Sequence, residues 1–287
     1  MRIDSHQHFW KRELGYYNWL TEDMGAIYRD FSPEDLRPHL RKSGIDKTVL
    51  IQAAPDIAET DYMLALANNT DFIAGVVGWV NMQGSDAPYQ LARLSKSPYF
   101  KGVRPMIQDI VDDNWMLDPA LEPAFLTLIN LGLCFDALVK PRHLKQLLKL
   151  VKRYPSLKIV IDHAAKPNIS GGEFGQWAQD IQALAENPSV YCKLSGLVTE
   201  AGYNPNFDIL VPYMCHLLNT FGASRLMWGS DWPVLNLATD YTEWVSLTEA
   251  FLANSSELEQ AQIWSQTAIK FYNLQHVDEM SLTSSTE

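Results

Sequence analysis

The sequence predicts a single-domain α/β protein folded as a (β/α)8 barrel, and three observations predict it. Eight short runs rich in apolar and β-branched residues recur along the chain. Helical patterns separate them. Several runs, such as Thr48–Gln52 (TVLIQ) and Lys158–Asp162 (KIVID), are apolar on both faces. Strands of a parallel sheet covered by helices need that pattern.

Taken in order, the strands are expected at Arg2–Ser5, Thr48–Gln52, Ile73–Val80, Lys101–Pro105, Leu133–Val139, Lys158–Asp162, Ser189–Leu194 and Leu226–Gly229. The first helix follows Ser32, a good N-cap, with Pro33 at its first position, Asp35 three residues after the cap and Gly44 at its end. A second pattern runs from Asp118 and Pro119 to Gly132, with Leu121, Phe125 and Leu128 on one stripe. Leu144, Leu147, Leu148 and Val151 mark a third at i, i+3, i+4, i+7 spacing. Further helices are expected over Glu173–Glu186, Asn206–Phe221, Tyr241–Leu252 and Ser256–Tyr272. An open doubly wound sheet is the competing architecture, but it opens on a Gly-rich turn after its first strand. The Gly-rich stretch here, Ser170–Gly175, comes late and lacks that spacing. The barrel is expected to occupy residues 1–276 as one domain, with 277–287 as a polar, disordered tail.

Composition narrows the function. A net charge of -11 argues against nucleic acid or an anionic membrane surface as partner. Cys134, Cys192 and Cys215 are far apart, so no disulfide framework or zinc ribbon is expected. The N-terminus has no basic segment leading into an apolar run, and no apolar stretch is long enough to span a bilayer. A cytoplasmic protein with a small-molecule partner is the expectation, with a homodimer kept open.

In a barrel, chemistry sits where strands end and the following loops begin. His6 and His8 end the first strand, two residues apart, and residues two apart on a strand share a face. Asp4 is expected below them on that face. His163 ends the sixth strand, and Asp231 follows the eighth. Closure of a barrel brings strand eight beside strand one, so Asp231 should reach the histidine pair. His39, His143 and His216 fall in helical patterns, and His276 in the tail; each reads as an ordinary surface or packing histidine. No G-x-S-x-G elbow, H-E-x-x-H or phosphate-binding glycine loop is present.

The stretches IDSHQHFW (3–10), AGVVGWVNM (74–82), KGVRPMIQ (101–108), IVIDHAAKP (159–167), VYCKLSGL (190–197) and RLMWGSDWPV (225–234) make the chain resemble the amidohydrolase superfamily. The resemblance is to its lactonase-like branch and covers residues 3 to 234. It implies that Asp231 is the general base and that His6, His8 and His163 line the reacting centre. It also implies hydrolysis of a sugar-acid lactone, of the L-fucono or L-rhamnono type. Hydrolysis of a muconolactone or pyrone dicarboxylate, or a decarboxylation, is the alternative on the same barrel. Many members hold two metals through a carboxylated lysine. Lys140, the lysine after the fifth strand, precedes Pro141 and reads as a surface residue at a helix start. One divalent ion, zinc or manganese, on His6, His8, His163 and Asp231 is therefore expected, or none.

Lactone hydrolysis also needs positive charge for a tetrahedral oxyanion. Arg104, after the fourth strand, is the expected catalytic cation beside Asp231 and His163. Lys193 is expected to bind substrate if the Tyr191–Lys193–Ser195 face of its strand points inward; the alternative is a packed stem. Trp10 and Trp232 flank the site residues and are expected to stack on a sugar ring, or else to cap the core. The long aromatic loop Lys11–Phe31 is expected to cover the site.

Overall fold

Eight parallel strands pair in strict sequence order, β1-β2-β3-β4-β5-β6-β7-β8. The computed structural model describes residues 1–203 and 205–274. His276 and the expected tail lie outside the described residues. The strands are β1 Ile3–Gln7, β2 Lys47–Ile51, β3 Ile73–Gly78, β4 Phe100–Val103, β5 Cys134–Ala137, β6 Lys158–Ile161, β7 Val190–Leu194 and β8 Leu226–Trp228. The last strand closes on the first through Gln7 and Trp232, where Asp231 N–H donates to His6 O and His8 N–H to Trp232 O, each at 2.8 Å. The architecture is a (β/α)8 barrel in one domain, as its sequence pattern predicts. Among the described residues, no helix is long and apolar enough to cross a membrane.

The helices are α1 Pro33–Ser43, α2 Ile57–Asn68, α3 Ala87–Leu94, α4 Glu122–Leu131, α5 Leu144–Arg153, α6 Gly175–Ala185, α7 Leu197–Glu200, α8 Phe207–Phe221, α9 Tyr241–Leu252, α10 Glu257–Ala261 and α11 Thr267–Tyr272. Ser32 and Asp35 form a reciprocal capping box on α1, and Gly44 ends it with φ +63°. Helices α2 and α3 are not marked by the sequence pattern. The apolar residues of α2 lie all round its axis, so it presents no clean stripe, and α3, though Ala87, Leu91 and Leu94 share one buried face, is only 8 residues long. The helix expected over 256–272 is interrupted by a π-helical turn at Gln262–Gln266.

Two apolar shells hold the barrel. Helices pack on the outside of the strands, and a smaller cluster fills the inside: Ile3, Val49, Ile51, Val77, Cys134, Val160 and Met227. Phe271 and Tyr272 of the C-terminal helix, and Leu274 just beyond it, join that inner cluster. They close the end of the barrel away from the strand C-termini, which confines solvent access to the other rim.

The strands approach closely where side chains are absent. A Cβ on Gly102 of β4 would stand 2.2 Å from the Cys134 carbonyl of β5. The obstacle is backbone within a paired ladder, so it cannot swing aside. Gly102→Ala is expected to cost at least about 1–3 kcal/mol, read as a lower urea midpoint. An unchanged midpoint would show that β4 and β5 can separate freely.

Candidate active site

The site is assembled at the seam where β8 meets β1. β1 contains one extra residue: Asp4 pairs with Thr48 but Gln7 with Leu50, three steps against two. Such a bulge flips the alternation of faces. Ile3 packs in the inner cluster, yet His6 also turns toward the site, an odd number of residues later. Asp4 is thereby turned off the histidine face, contrary to the expectation from simple alternation. Its carboxylate instead accepts from Ser230 N–H (2.8 Å), His6 N–H (3.1 Å) and Tyr241 O–H (3.0 Å). Burial raises the Asp4 pKa to about 6, against those donors. Asp4 is a clasp that joins β8 to β1.

His6, His8, His163 and Asp231 come together as the sequence predicts, all buried. Asp231 Oδ1 lies 3.2 Å from His8 Nε2 and 3.7 Å from Nε2 of both His6 and His163. His6 Nε2 and His8 Nε2 are 3.2 Å apart. Residues 163–166 have φ of 52°, 51°, 62° and 53°, and Asp231 has φ 60°. Left-handed backbone costs non-glycine residues about 1–2 kcal/mol each. The turn after β6 is held by Lys166 N–H to His163 O (2.7 Å) and Trp177 indole N–H to Ala164 O (2.7 Å). Ser195 Oγ stands 2.9 Å from His163 Nδ1. Backbone strain is thus concentrated where two of the site residues are aimed.

Burial lowers the pKa of all three imidazoles: His163 to about 4, His8 downward, and His6 well below its ordinary value with Lys193 adding to the effect. Burial alone would raise the Asp231 carboxyl, but His163, His8 and His6 together hold it far below the usual carboxylate range.

Beneath His6 lies a charged floor that sequence reading missed. Lys193 Nζ hydrogen-bonds Asp136 Oδ2 (2.6 Å) and His6 Nδ1 (3.1 Å) and is ion-paired with Asp162 Oδ1 (2.9 Å), and all four side chains are fully buried. Burial works to raise Asp162, but Lys193, His6 and Arg104 hold it well below its ordinary value. Burial pushes Asp136 up to about 6. Tyr272 O–H donates to Asp136 at 2.7 Å. Arg104 stands over the floor, its NH1 3.3 Å from His6 Nε2 and its NH2 bonded to Gln52 O.

A cavity of about 340 Å³ opens above these groups, within the range that small-molecule sites occupy. His8, His163, Asp231 and Arg104 line its base; Gln108, Asp109 and Lys166 supply polar wall; Trp19, Met24, Met106, Leu138 and Leu237 supply apolar wall. Trp19 and Met24 belong to the 11–31 loop, whose ends are pinned by a two-way hydrogen bond between Trp10 and Phe31. The loop therefore covers one side of the site.

Three expectations need correction. Lys193 does face inward, but it is fully buried under His6 with its ammonium occupied, so it cannot meet substrate. Trp10 is fully buried behind His8, and its indole N–H donates to Arg29 O. Trp232 is packed edge-on between Phe9 and Phe31. Both tryptophans are wall, not sugar platform; Trp19, anchored to Ala53 O at 2.7 Å, is the one that lines the cavity. His39 packs on Trp232 and Tyr241, and His216 bonds Ala178 O, as packing histidines do.

Ligand atoms of His6, His163 and Asp231 all lie within 4.8 Å of one another. The neighbourhood suits a cation. His8 Nδ1 faces the Ile51 carbonyl at 2.8 Å, and a carbonyl only accepts, so a neutral His8 presents a bare lone pair to Asp231. That lone pair, beside the carboxylate, is one an ion could use. Nearby, three buried carboxylates (Asp136, Asp162, Asp231) face two cations (Lys193, Arg104). These residues fit a divalent ion.

A parallel barrel that gathers three imidazoles and a carboxylate at the C-terminal ends of its strands has the groups that can activate a water. The chain belongs to the amidohydrolase family, whose sequence profile matches residues 3–274. It is 46% identical over 280 residues to an L-fucono-1,5-lactonase of Burkholderia ambifaria, covering 95% of this chain and 96% of that one. It is 33% identical to an L-fucono-1,5-lactonase of Burkholderia multivorans, covering 96% of each. An amidohydrolase from Burkholderia multivorans crystallised with bound zinc superposes with a TM-score of 0.91 at 33% identity, covering 95% of this chain and 99% of that chain.

Proposed function

We propose that this protein hydrolyses a sugar-acid lactone of the L-fucono type to the free acid. The observation that carries the reading is the placement of Asp231 against three imidazoles and Arg104 at the base of a small, one-sided cavity. The two lactonase relatives supply the substrate class.

In the proposed reaction, a water at the base of the cavity attacks the lactone carbonyl while Asp231 takes its proton. Negative charge grows on the carbonyl oxygen. The guanidinium of Arg104 and N–H groups of the cluster meet it in a site that excludes bulk water. The ring C–O bond then breaks. The departing ring oxygen is a far stronger base than a carboxylate, so the proton passes from Asp231 to it. His163, fixed by Ser195, orients Asp231 and the substrate. A divalent ion on His6, His163 and Asp231, with His8 adjacent, would acidify the water and polarise the carbonyl; zinc or manganese suits the donors.

A dicarboxylate lactone is less well served. Its second carboxylate would meet Asp109 at the wall, and Lys166 is already paired with Glu200 at 3.0 Å. Asp109 and Gln108 instead suit hydroxyl groups. The test is a pH-indicator screen of purified protein against aldono-lactones and against pyrone dicarboxylate, before and after chelation. Turnover of an aldono-lactone of the L-fucono type, and little of the dicarboxylate, is expected. No turnover of any lactone would overturn the reading, and turnover untouched by complete metal removal would overturn the role of the ion.

A further inference from the structure

Lys193 takes no part in the proposed reaction, yet its surroundings are unusually complete. An ammonium has three donors and accepts nothing. Here two donors are hydrogen-bonded, to Asp136 Oδ2 at 2.6 Å and His6 Nδ1 at 3.1 Å, and Asp162 Oδ1 adds an ion pair at 2.9 Å. Nδ1 of His6 must therefore offer its lone pair, and a neutral His6 must carry its proton on Nε2. The other side of the ring agrees. His8 Nδ1 donates to Ile51 O, which leaves His8 Nε2 as an acceptor 3.2 Å from His6 Nε2. A proton on His6 Nε2 satisfies it.

The opposite tautomer is worse by the same count. It would set an N–H against the Lys193 ammonium and face the lone pairs of His6 and His8 toward each other. In return it gains Arg104 NH1 at 3.3 Å and a distant approach to Asp162 at 3.6 Å. Lys193 cannot turn away to relieve the conflict. It is fully buried, Asp136 is itself held by Tyr272 at 2.7 Å, and the Tyr272 ring lies 5.6 Å from Nζ.

We infer that Lys193 is a positioning residue that holds His6 with its proton on Nε2, and that it thereby weakens divalent-ion binding at this centre. Nε2 is the His6 atom that faces Asp231 and His8. An ion needs a lone pair there, so each binding event must first reverse the tautomer against the Lys193 donor. Partners behind a ligating histidine usually strengthen a site by accepting from the ring's other N–H. Lys193 does the reverse, because it donates where an acceptor is wanted.

The inference takes from the proposed function only that an ion uses this centre, and its first test needs neither ion nor substrate. In metal-stripped protein labelled with 15N-histidine, long-range proton–nitrogen spectra report which ring nitrogen of His6 carries the proton, with His6→Asn giving the assignment. Protonation of Nε2 is expected; protonation of Nδ1 overturns the inference. The second test compares zinc affinity, by competition with a chromophoric chelator, in the wild type and in Lys193→Met/Asp136→Asn. That pair removes one positive and one negative charge, so an altered affinity does not reflect added negative charge. Zinc is expected to bind about tenfold or more tightly to the double variant, the scale of effects from partners of metal ligands. Unchanged or weaker binding overturns the inference. Should the double variant not fold, the wild-type spectrum decides. Zinc binding to neither protein would count against the ion in the proposed function and against the second half of the inference alike, while lactone turnover would stand.

Discussion

Replacing Asp231 by asparagine is expected to lower kcat on an aldono-lactone by about 10²–10⁴-fold, the contribution of a positioned proton acceptor. The substitution keeps the shape of the side chain. Its backbone N–H still donates to His6 O, and the seam through Gln7 and Trp232 is untouched. What disappears is the only carboxylate within 3.7 Å of all three Nε2 atoms, among the described residues. KM should change far less than kcat, because the loss falls on the step in which the water gives up its proton. Steady-state kinetics beside a thermal melt would check both halves. A melt like that of the wild type with kcat lowered less than tenfold would show that another group takes the proton.

The second large effect is expected at a residue with no functional group. Gly196 follows β7, has φ +65°, and passes close to His163. A Cβ there would lie 2.6 Å from His163 Nδ1 and 2.7 Å from its Cγ. Such distances require the ring to move. His163 is also bonded to the neighbouring Ser195 and is set on a strained left-handed turn, so it has little freedom to yield without losing its aim at Asp231. Gly196→Ala is expected to lower kcat/KM by about 100-fold, since a displacement near 1 Å in a reacting group can cost that much. It should also cost about 1–2 kcal/mol of stability for the left-handed backbone. Kinetics paired with urea denaturation separate the two losses. Wild-type kcat/KM in a folded variant would remove His163 from the mechanism.

How far the site could be read beforehand depends on which physical rule governs each residue. His6, His8, His163 and Asp231 sit just at or past strand ends, and barrel closure makes their meeting a matter of topology. Asp4 departs from the histidine face because period-two alternation holds only for an unbulged strand, and nothing in the composition of β1 marks the extra residue. Asp136 and Asp162 carry a faint signal: each is a carboxylate within an otherwise apolar strand run, which a buried strand tolerates only with a partner. Trp10 and Trp232 neighbour the site residues in sequence, which by itself suggests sugar platforms. Trp10 instead packs on Tyr17, Trp19 and Phe31 of the covering loop, and Trp232 between Phe9 and Phe31.

By itself the sequence determined the barrel, the rim that carries chemistry, and the three imidazoles and the carboxylate that meet there. Those follow from local periodicity and from the order of strands, which are properties of the chain as written. Only the tertiary structure decided which of Lys193's neighbours use its protons, which tryptophan reaches the cavity, and that Asp4 clasps the seam. These depend on side-chain direction across non-adjacent strands, and a single bulge or a shift of about 1 Å redistributes such contacts without altering any pattern visible in the sequence.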